Sequence, residues 1–129
     1  MSVFTKIVSG EIPSYKIAED ENYLAFLDIN PNTKGHTLVI PKKEVNKLFD
    51  LDKERYAALM DFSYRVAKAL EKTVPCKRIG MSVIGLEVPH VHVHLIPINT
   101  MNDMRFVEKE KLTNDEFVNL AKKTSSNFV

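Results

Sequence analysis

Four histidines are present in the chain, and three of them lie in the nine residues Pro89-His-Val-His-Val-His-Leu-Ile-Pro97. Along a β-strand successive side chains point to opposite faces. His90, His92 and His94 therefore share one face, while Val91, Val93 and Leu95 share the other. The rise of a strand spaces the three rings about 7 Å apart. An imidazole is neutral or charged near physiological pH and can serve as nucleophile, acid, base or metal ligand. Histidine has no special merit on a solvated strand surface, so the row points to chemistry. Two chemistries fit. In one, a ring attacks an electrophile with help from its neighbours. In the other, two histidines two residues apart hold zinc with a third donor and an open position; His36 is the candidate donor and Glu87 the candidate outer carboxylate. Spacing alone leaves both open.

The rest of the chain must supply a scaffold for that strand. Ser2 can cap a short helix carrying Phe4, Ile7 and Val8, with Gly10 placed to end it and Pro13 breaking any continuation. Strand-like runs follow at Tyr15–Ala18, Tyr23–Leu27 and His36–Ile40, the last two separated by the turn-rich segment Asp28-Ile-Asn-Pro-Asn-Thr-Lys-Gly35. A long helix is expected from Lys53 to Lys72, capped by Asp52 and stopped by Pro75. Two more strands are expected at Ile79–Ile84 and His90–Ile96. A capping box at Thr113-Asn-Asp-Glu116 then opens a last helix near 114–124, with Phe117, Leu120 and Ala121 on one face. Short connections pair neighbouring strands antiparallel. The expected class is α+β, a five-stranded antiparallel sheet with helices on one face.

Composition sets outer limits. The chain has 129 residues, 44% apolar and 27% charged, the balance of one soluble globular domain needing no metal or disulfide staple. A formal net charge of +1 argues against duplex nucleic acid or an anionic membrane as partner, but not against a phosphate ligand in a local pocket. The single cysteine, Cys76, allows no internal disulfide and points to a reducing compartment. No apolar run approaches membrane-spanning length, and Met1–Lys6 lacks the features of a secretory signal. The expected location is the cytoplasm.

With these residues in view, the chain resembles the histidine triad family of nucleotide hydrolases and transferases. The family signature, three histidines alternating with apolar residues, stands complete as His90-Val-His92-Val-His94-Leu-Ile96. Phe4-Thr-Lys-Ile-Val-Ser-Gly-Glu-Ile-Pro13, Leu24-Ala-Phe-Leu-Asp-Ile-Asn-Pro31 and Gly35-His-Thr-Leu-Val-Ile-Pro-Lys42 look like other segments of the family in the right order. The likeness runs from about Phe4 to Pro97, within a single domain spanning 1–129 and followed by a C-terminal extension over 98–129.

The resemblance implies no cofactor, no catalytic metal and a purine, AMP-like nucleotide as substrate. It also implies a homodimer, whose two-fold interface is expected on the apolar face of the helix Lys53–Lys72 and the strands of the sheet. It implies that His92 attacks the α-phosphate to give a nucleotidyl-histidine that water hydrolyses. It places His90 where the tautomer of the nucleophile is fixed, His94 against the phosphate oxygens and His36 in support. Neutral imidazole is a competent nucleophile, and protonated neighbours are expected to stabilise the phosphoryl charge. Asp28 falls where the family accepts hydrogen bonds from the ribose, although an aspartate before Asn-Pro also caps turns. Phe4, Ile7, Ile12, Phe26, Ile29 and Leu38 fall on or near the base-binding positions, and Leu86 and Val88, on the approach to the triad, are expected to bind the nucleotide as well.

That approach departs from the family pattern. Gly80-Met-Ser-Val-Ile-Gly-Leu-Glu-Val-Pro-His90 is short and lacks the usual asparagine, with Leu86 in place of a glutamine and Glu87 in place of a hydroxyl residue. An ionised Glu87 would repel a polyphosphate and attract a cationic amine, or would donate a proton if its pKa were raised. The expected activity is hydrolysis of a nucleoside phosphoramidate. The alternatives are a dinucleoside polyphosphate hydrolase, a nucleotide-binding or interaction protein with negligible turnover, and, third, a metal-dependent hydrolase.

Overall fold

The computed structural model describes residues 1–129. Helix α1 (Val3–Ser9) is followed by β1 (Lys16–Glu19), β2 (Tyr23–Leu27) and β3 (Thr37–Pro41). Helix α2 (Lys53–Thr73), β4 (Arg78–Ser82), β5 (Val93–Ile98) and α3 (Asn114–Ser126) complete the chain. Short 3-10 turns, absent from the sequence expectation, lie at Leu48–Asp50 and Met101–Met104. The strands form one five-stranded sheet in the order β1-β2-β3-β5-β4, and every adjacent pair is antiparallel. No helix is long and apolar enough to cross a membrane.

Local chemistry explains the boundaries. The Ser2 hydroxyl accepts the Thr5 N–H to start α1, and Gly10 ends it in the left-handed conformation (φ 87°). Asp52 caps α2 by accepting the Arg55 N–H, and the Thr113–Glu116 box opens α3. Strand alternation divides the interior in two. Tyr23, Ala25, Leu27, Val39, Val93 and Leu95 face α2 and α3, where they meet Leu59, Phe62, Val66, Leu70, Phe117 and Leu120 in the main core. Leu24, Phe26, Leu38 and Ile40 face the other way and are covered by Phe4 of α1.

Three expectations change here. The helices are not all on one face, because α1 covers the face opposite α2 and α3. The last strand begins at Val93 and not His90. Its ladder to β3 starts at the Val39–Val93 pair, while the His90 N–H donates to Val88 O and the Val91 N–H to Val45 O. Alternation nevertheless persists, since Val91 joins Val93 and Leu95 in the main core. Finally, the apolar face of α2, expected to support a two-fold interface, is consumed by that core.

Candidate functional site

The four histidines lie on the α1 side of the sheet, and all four are buried. They form two pairs, held by different parts of the chain. The ring centres of His92 and His94 lie 4.9 Å apart, closer than the expected spacing of about 7 Å along the strand.

In the first pair, His90 Nε2 lies 2.8 Å from the carbonyl oxygen of Pro41. A carbonyl only accepts, so Nε2 carries the proton and Nδ1 is a lone pair. The Ser2 hydroxyl, 2.7 Å away, donates to that lone pair. Burial holds the His90 pKa below the usual range, so the ring is neutral. His92 Nδ1 lies 2.8 Å from the His90 carbonyl oxygen and must likewise donate. In the neutral ring Nε2 is then the lone pair. Thr5 Oγ1 and the Ser2 N–H both donate to Glu44, each at 2.6 Å, which draws the Glu44 carboxyl pKa down to about 2.

The second pair is a relay. The Asn32 N–H donates to His36 Nδ1 at 2.9 Å, so a neutral His36 has its proton on Nε2. That proton goes to His94 Nδ1 at 3.0 Å, which leaves His94 Nε2–H as the outward donor. Burial, followed by the positive charge of neighbouring groups, pushes His36 down to about 3 and His94 to about 4. The expectation of protonated neighbours is therefore corrected for both rings. They can donate hydrogen bonds but bring no charge. Gly35 sets up this pair by preceding His36 at φ 97°, where a Cβ would come within 2.9 Å of Val74.

Asp28 Oδ1 accepts the Asn30 N–H at 2.8 Å, the turn-capping contact, and Oδ2 stands 3.6 Å from His36 Nε2. Burial raises the Asp28 pKa. One donor atom each from Asp28, His36 and His94 falls within 4.8 Å of the others, a spacing a metal could use. The hydrogen bonds do not fit one. Metal on His36 Nε2 would move its proton to Nδ1, against the Asn32 N–H.

A cavity of about 530 Å³ opens over these groups. From the expected residues it gathers Phe4, Asp28, Leu38, Leu86, Glu87, Val88, His92 and His94. His90 and His36 stand behind it. Phe26 is buried beneath Phe4, ring centres 5.9 Å apart, and Ile7 packs on the small core, so neither lines the opening. Ile12 does not line it, and Ile29 is 74% exposed outside it. Glu87 and Leu86 are on its exposed side. Another groove, of about 470 Å³, lies between the β1–β2 turn and the start of α2 and contains no histidine.

Sequence reasoning missed Asn30, Ile84, Gly85, Arg105, Phe106 and Lys109 in this wall. Phe106 adopts φ 58°, unusual for a residue with a side chain, and its ring sits 4.8 Å from that of His94 and 5.9 Å from that of His36. The only available signal was the density of charged residues around Phe106 after Thr100, which carries no periodicity.

The profile described as HIT domain matches residues 9–101, most of the chain and all four histidines. The chain belongs to the histidine triad (HIT) family. It is 42% identical over 96 residues to adenosine 5'-monophosphoramidase HNT1 of Saccharomyces cerevisiae, covering 74% of this chain and 61% of that protein. Among solved structures it is similar to a Hit-like protein involved in cell-cycle regulation from Bartonella henselae, with a TM-score of 0.85 and 32% identity, covering 98% of this chain and 96% of the other. It is also similar to a zinc-bound histidine triad family protein from Mycobacterium smegmatis, with a TM-score of 0.82 and 29% identity over 97% and 91%. The antiparallel sheet and its helices are thus the HIT fold.

Proposed function

We propose that this HIT protein is a nucleotide hydrolase that cleaves the α-phosphate bond of a purine nucleoside phosphoramidate through a covalent intermediate on His92. The observation that carries the reading is the 2.8 Å bond from His92 Nδ1–H to the His90 carbonyl, which leaves the Nε2 lone pair as the ring's free nitrogen beside the cavity. Similarity to an adenosine 5'-monophosphoramidase supports the substrate class.

His92 Nε2 forms a bond to phosphorus as the bond to the amine nitrogen breaks, and the amine leaves with a proton from solvent. Water then attacks phosphorus, the P–Nε2 bond breaks, one water proton is released, and nucleoside monophosphate departs. His94 Nε2–H donates to a phosphoryl oxygen, with His36 and the Asn32 N–H holding its tautomer. Phe4 and Leu38 form the apolar floor for the base, with Phe26, Ile7 and Ile12 behind or beside them and Ile29 at the lip. Asp28 Oδ2 accepts from the ribose.

The same proposal takes residues 1–129 as one HIT unit in the cytoplasm, since Phe117, Leu120 and Ala121 of α3 enter the main core. It also takes the chain as a homodimer, built on the unpaired edge of β4 with Met81 and on Tyr64 of α2, both exposed.

The test is turnover of adenosine phosphoramidate with and without chelator, beside dinucleoside polyphosphates and nucleotide sugars. His92→Asn should lose more than about a thousandfold in kcat while still binding AMP, and rapidly quenched wild-type enzyme should carry a nucleotidyl adduct on His92 by mass spectrometry. Substantial turnover by the variant would sink the nucleophile assignment. Loss of turnover on chelation would restore the metal reading, and AMP binding without any turnover would favour a binding protein.

A further inference from the structure

The cavity has an electrostatic imbalance that three of the four histidines do not correct. His36, His90 and His94 are held neutral at pH 7 by burial. Asp28 and Glu87 bring carboxylates to the wall, and a nucleotide α-phosphate would add a further negative charge. The cations of the wall are Arg105 and Lys109, both beyond the residues matched by the HIT profile.

Lys109 is the more firmly held of the two. Its Nζ donates to Asn32 Oδ1 at 2.7 Å and stands 5.1 Å from the centre of the Phe106 ring, which itself packs on His94. Asn32 is the residue whose backbone N–H fixes His36. The segment is tied down on either side of Phe106: Asn32 Nδ2 donates to Asp103 O at 3.0 Å, and the Glu110 N–H to Pro31 O at 2.9 Å. The ammonium therefore has a fixed place beside the His36–His94 relay. Its charge is felt at Asp28, His36 and His94 alike.

We propose that Lys109 is a substrate-contacting residue whose ammonium receives the non-bridging oxygens of the nucleotide α-phosphate, with Arg105 adding positive charge at the exposed side of the same subsite. The assignment rests on the nucleotide reading above and deepens it. One N–H of Lys109 is used by Asn32, which leaves two donors for an anion. As His92 attacks, charge builds on the phosphoryl oxygens, and a fixed cation beside a neutral donor is the arrangement that stabilises it.

Calorimetric titration with AMP and with adenosine separates this role from a bracing one. Lys109→Gln keeps a donor for Asn32 while removing the charge, and Lys109→Arg keeps the charge. The expected result is an AMP affinity about tenfold or more weaker in Lys109→Gln, an adenosine affinity within about twofold of wild type, and recovery of AMP binding in Lys109→Arg. Equal loss of both ligands would make Lys109 a brace and overturn the proposal. So would an unchanged AMP affinity, or a wild-type protein with no preference for AMP over adenosine. Wild-type protein that binds neither ligand would overturn the nucleotide reading itself, and this proposal with it.

Discussion

The two histidine pairs are held by opposite ends of the chain and by different physics. On the His90–His92 side the supports are the hydroxyl of Ser2 and the carbonyl oxygens of Pro41 and His90, in contacts of 2.7 to 2.8 Å. These are buried, largely neutral bonds. On the His36–His94 side the cover is Phe106 with Lys109 above it, on a segment of partly exposed and charged residues. The first support fixes a tautomer and so decides which nitrogen can attack. The second supplies apolar cover and charge, which decides what the attacked group can be. Hydrogen bonds in the interior resist salt, whereas charges at a rim are screened over about 8 Å at physiological ionic strength. The two supports are therefore separable by experiment.

Ser2→Ala strikes the first support. It removes the cap of α1 and leaves His90 Nδ1 buried without its donor, two losses that together cost about 2–4 kcal/mol. The denaturation midpoint should fall accordingly. The kcat should fall with KM little changed, because the ring that is disturbed orients the nucleophile and does not touch the nucleotide. Ser2→Thr keeps the hydroxyl and should recover both. A variant with lower stability but normal kcat would limit Ser2 to capping.

A second contrast lies in the response to acid. His36 and His94 have folded-state pKa values of about 3 and about 4, below the value near 6.5 expected when the chain unfolds. Below pH 6.5 the unfolded chain binds protons that the folded chain refuses. Stability is therefore complete above pH 6.5 and declines as the pH falls toward 4, by up to about 1.4 kcal/mol per pH unit for His36. The raised pKa of Asp28 works in the opposite direction, and carboxylates with depressed values, such as Glu44, act only below pH 4.5. Urea midpoints measured between pH 7 and pH 5 should fall in wild type, and the slope should lessen in His36→Gln. An equal slope in both proteins would remove His36 as a source of the acid response.

Much of this arrangement was legible in the sequence. Alternation along Val91, Val93 and Leu95 put the histidines on one face, and the caps at Ser2, Asp52 and Thr113 stand where they were read. Such signals are local: a period or a side chain two or three residues from its partner. What escaped is long-range. Ser2 meets His90 across 88 residues, Lys109 meets Asn32 across 77, and no pattern in either segment announces the contact. Neutral histidines escaped for a related reason, since burial by α1 and by Phe106 is a property of the fold. The start of β5 was misplaced because alternation continues through His90–His92 while the ladder does not.

The smallest expected effect belongs to Glu87, an exposed residue lining the same cavity as the cations of the other support. It makes no ion pair in the structure, so its charge is available to a leaving group but is also open to screening. Its carboxylate should favour departure of a cationic amine and oppose a polyphosphate chain, while Lys109 and Arg105 act in the reverse sense. Glu87→Gln should shift the ratio of kcat/KM for a phosphoramidate over a dinucleoside polyphosphate toward the polyphosphate by about two- to threefold at low salt. That shift should shrink as salt is raised, because an exposed charge acts through solvent. Lys109→Gln should move the ratio in the opposite direction, since the polyphosphate brings more negative charge to the lost cation. If Glu87→Gln leaves the ratio unchanged at low salt, Glu87 does not select the leaving group, and the cationic segment is the stronger candidate for that discrimination.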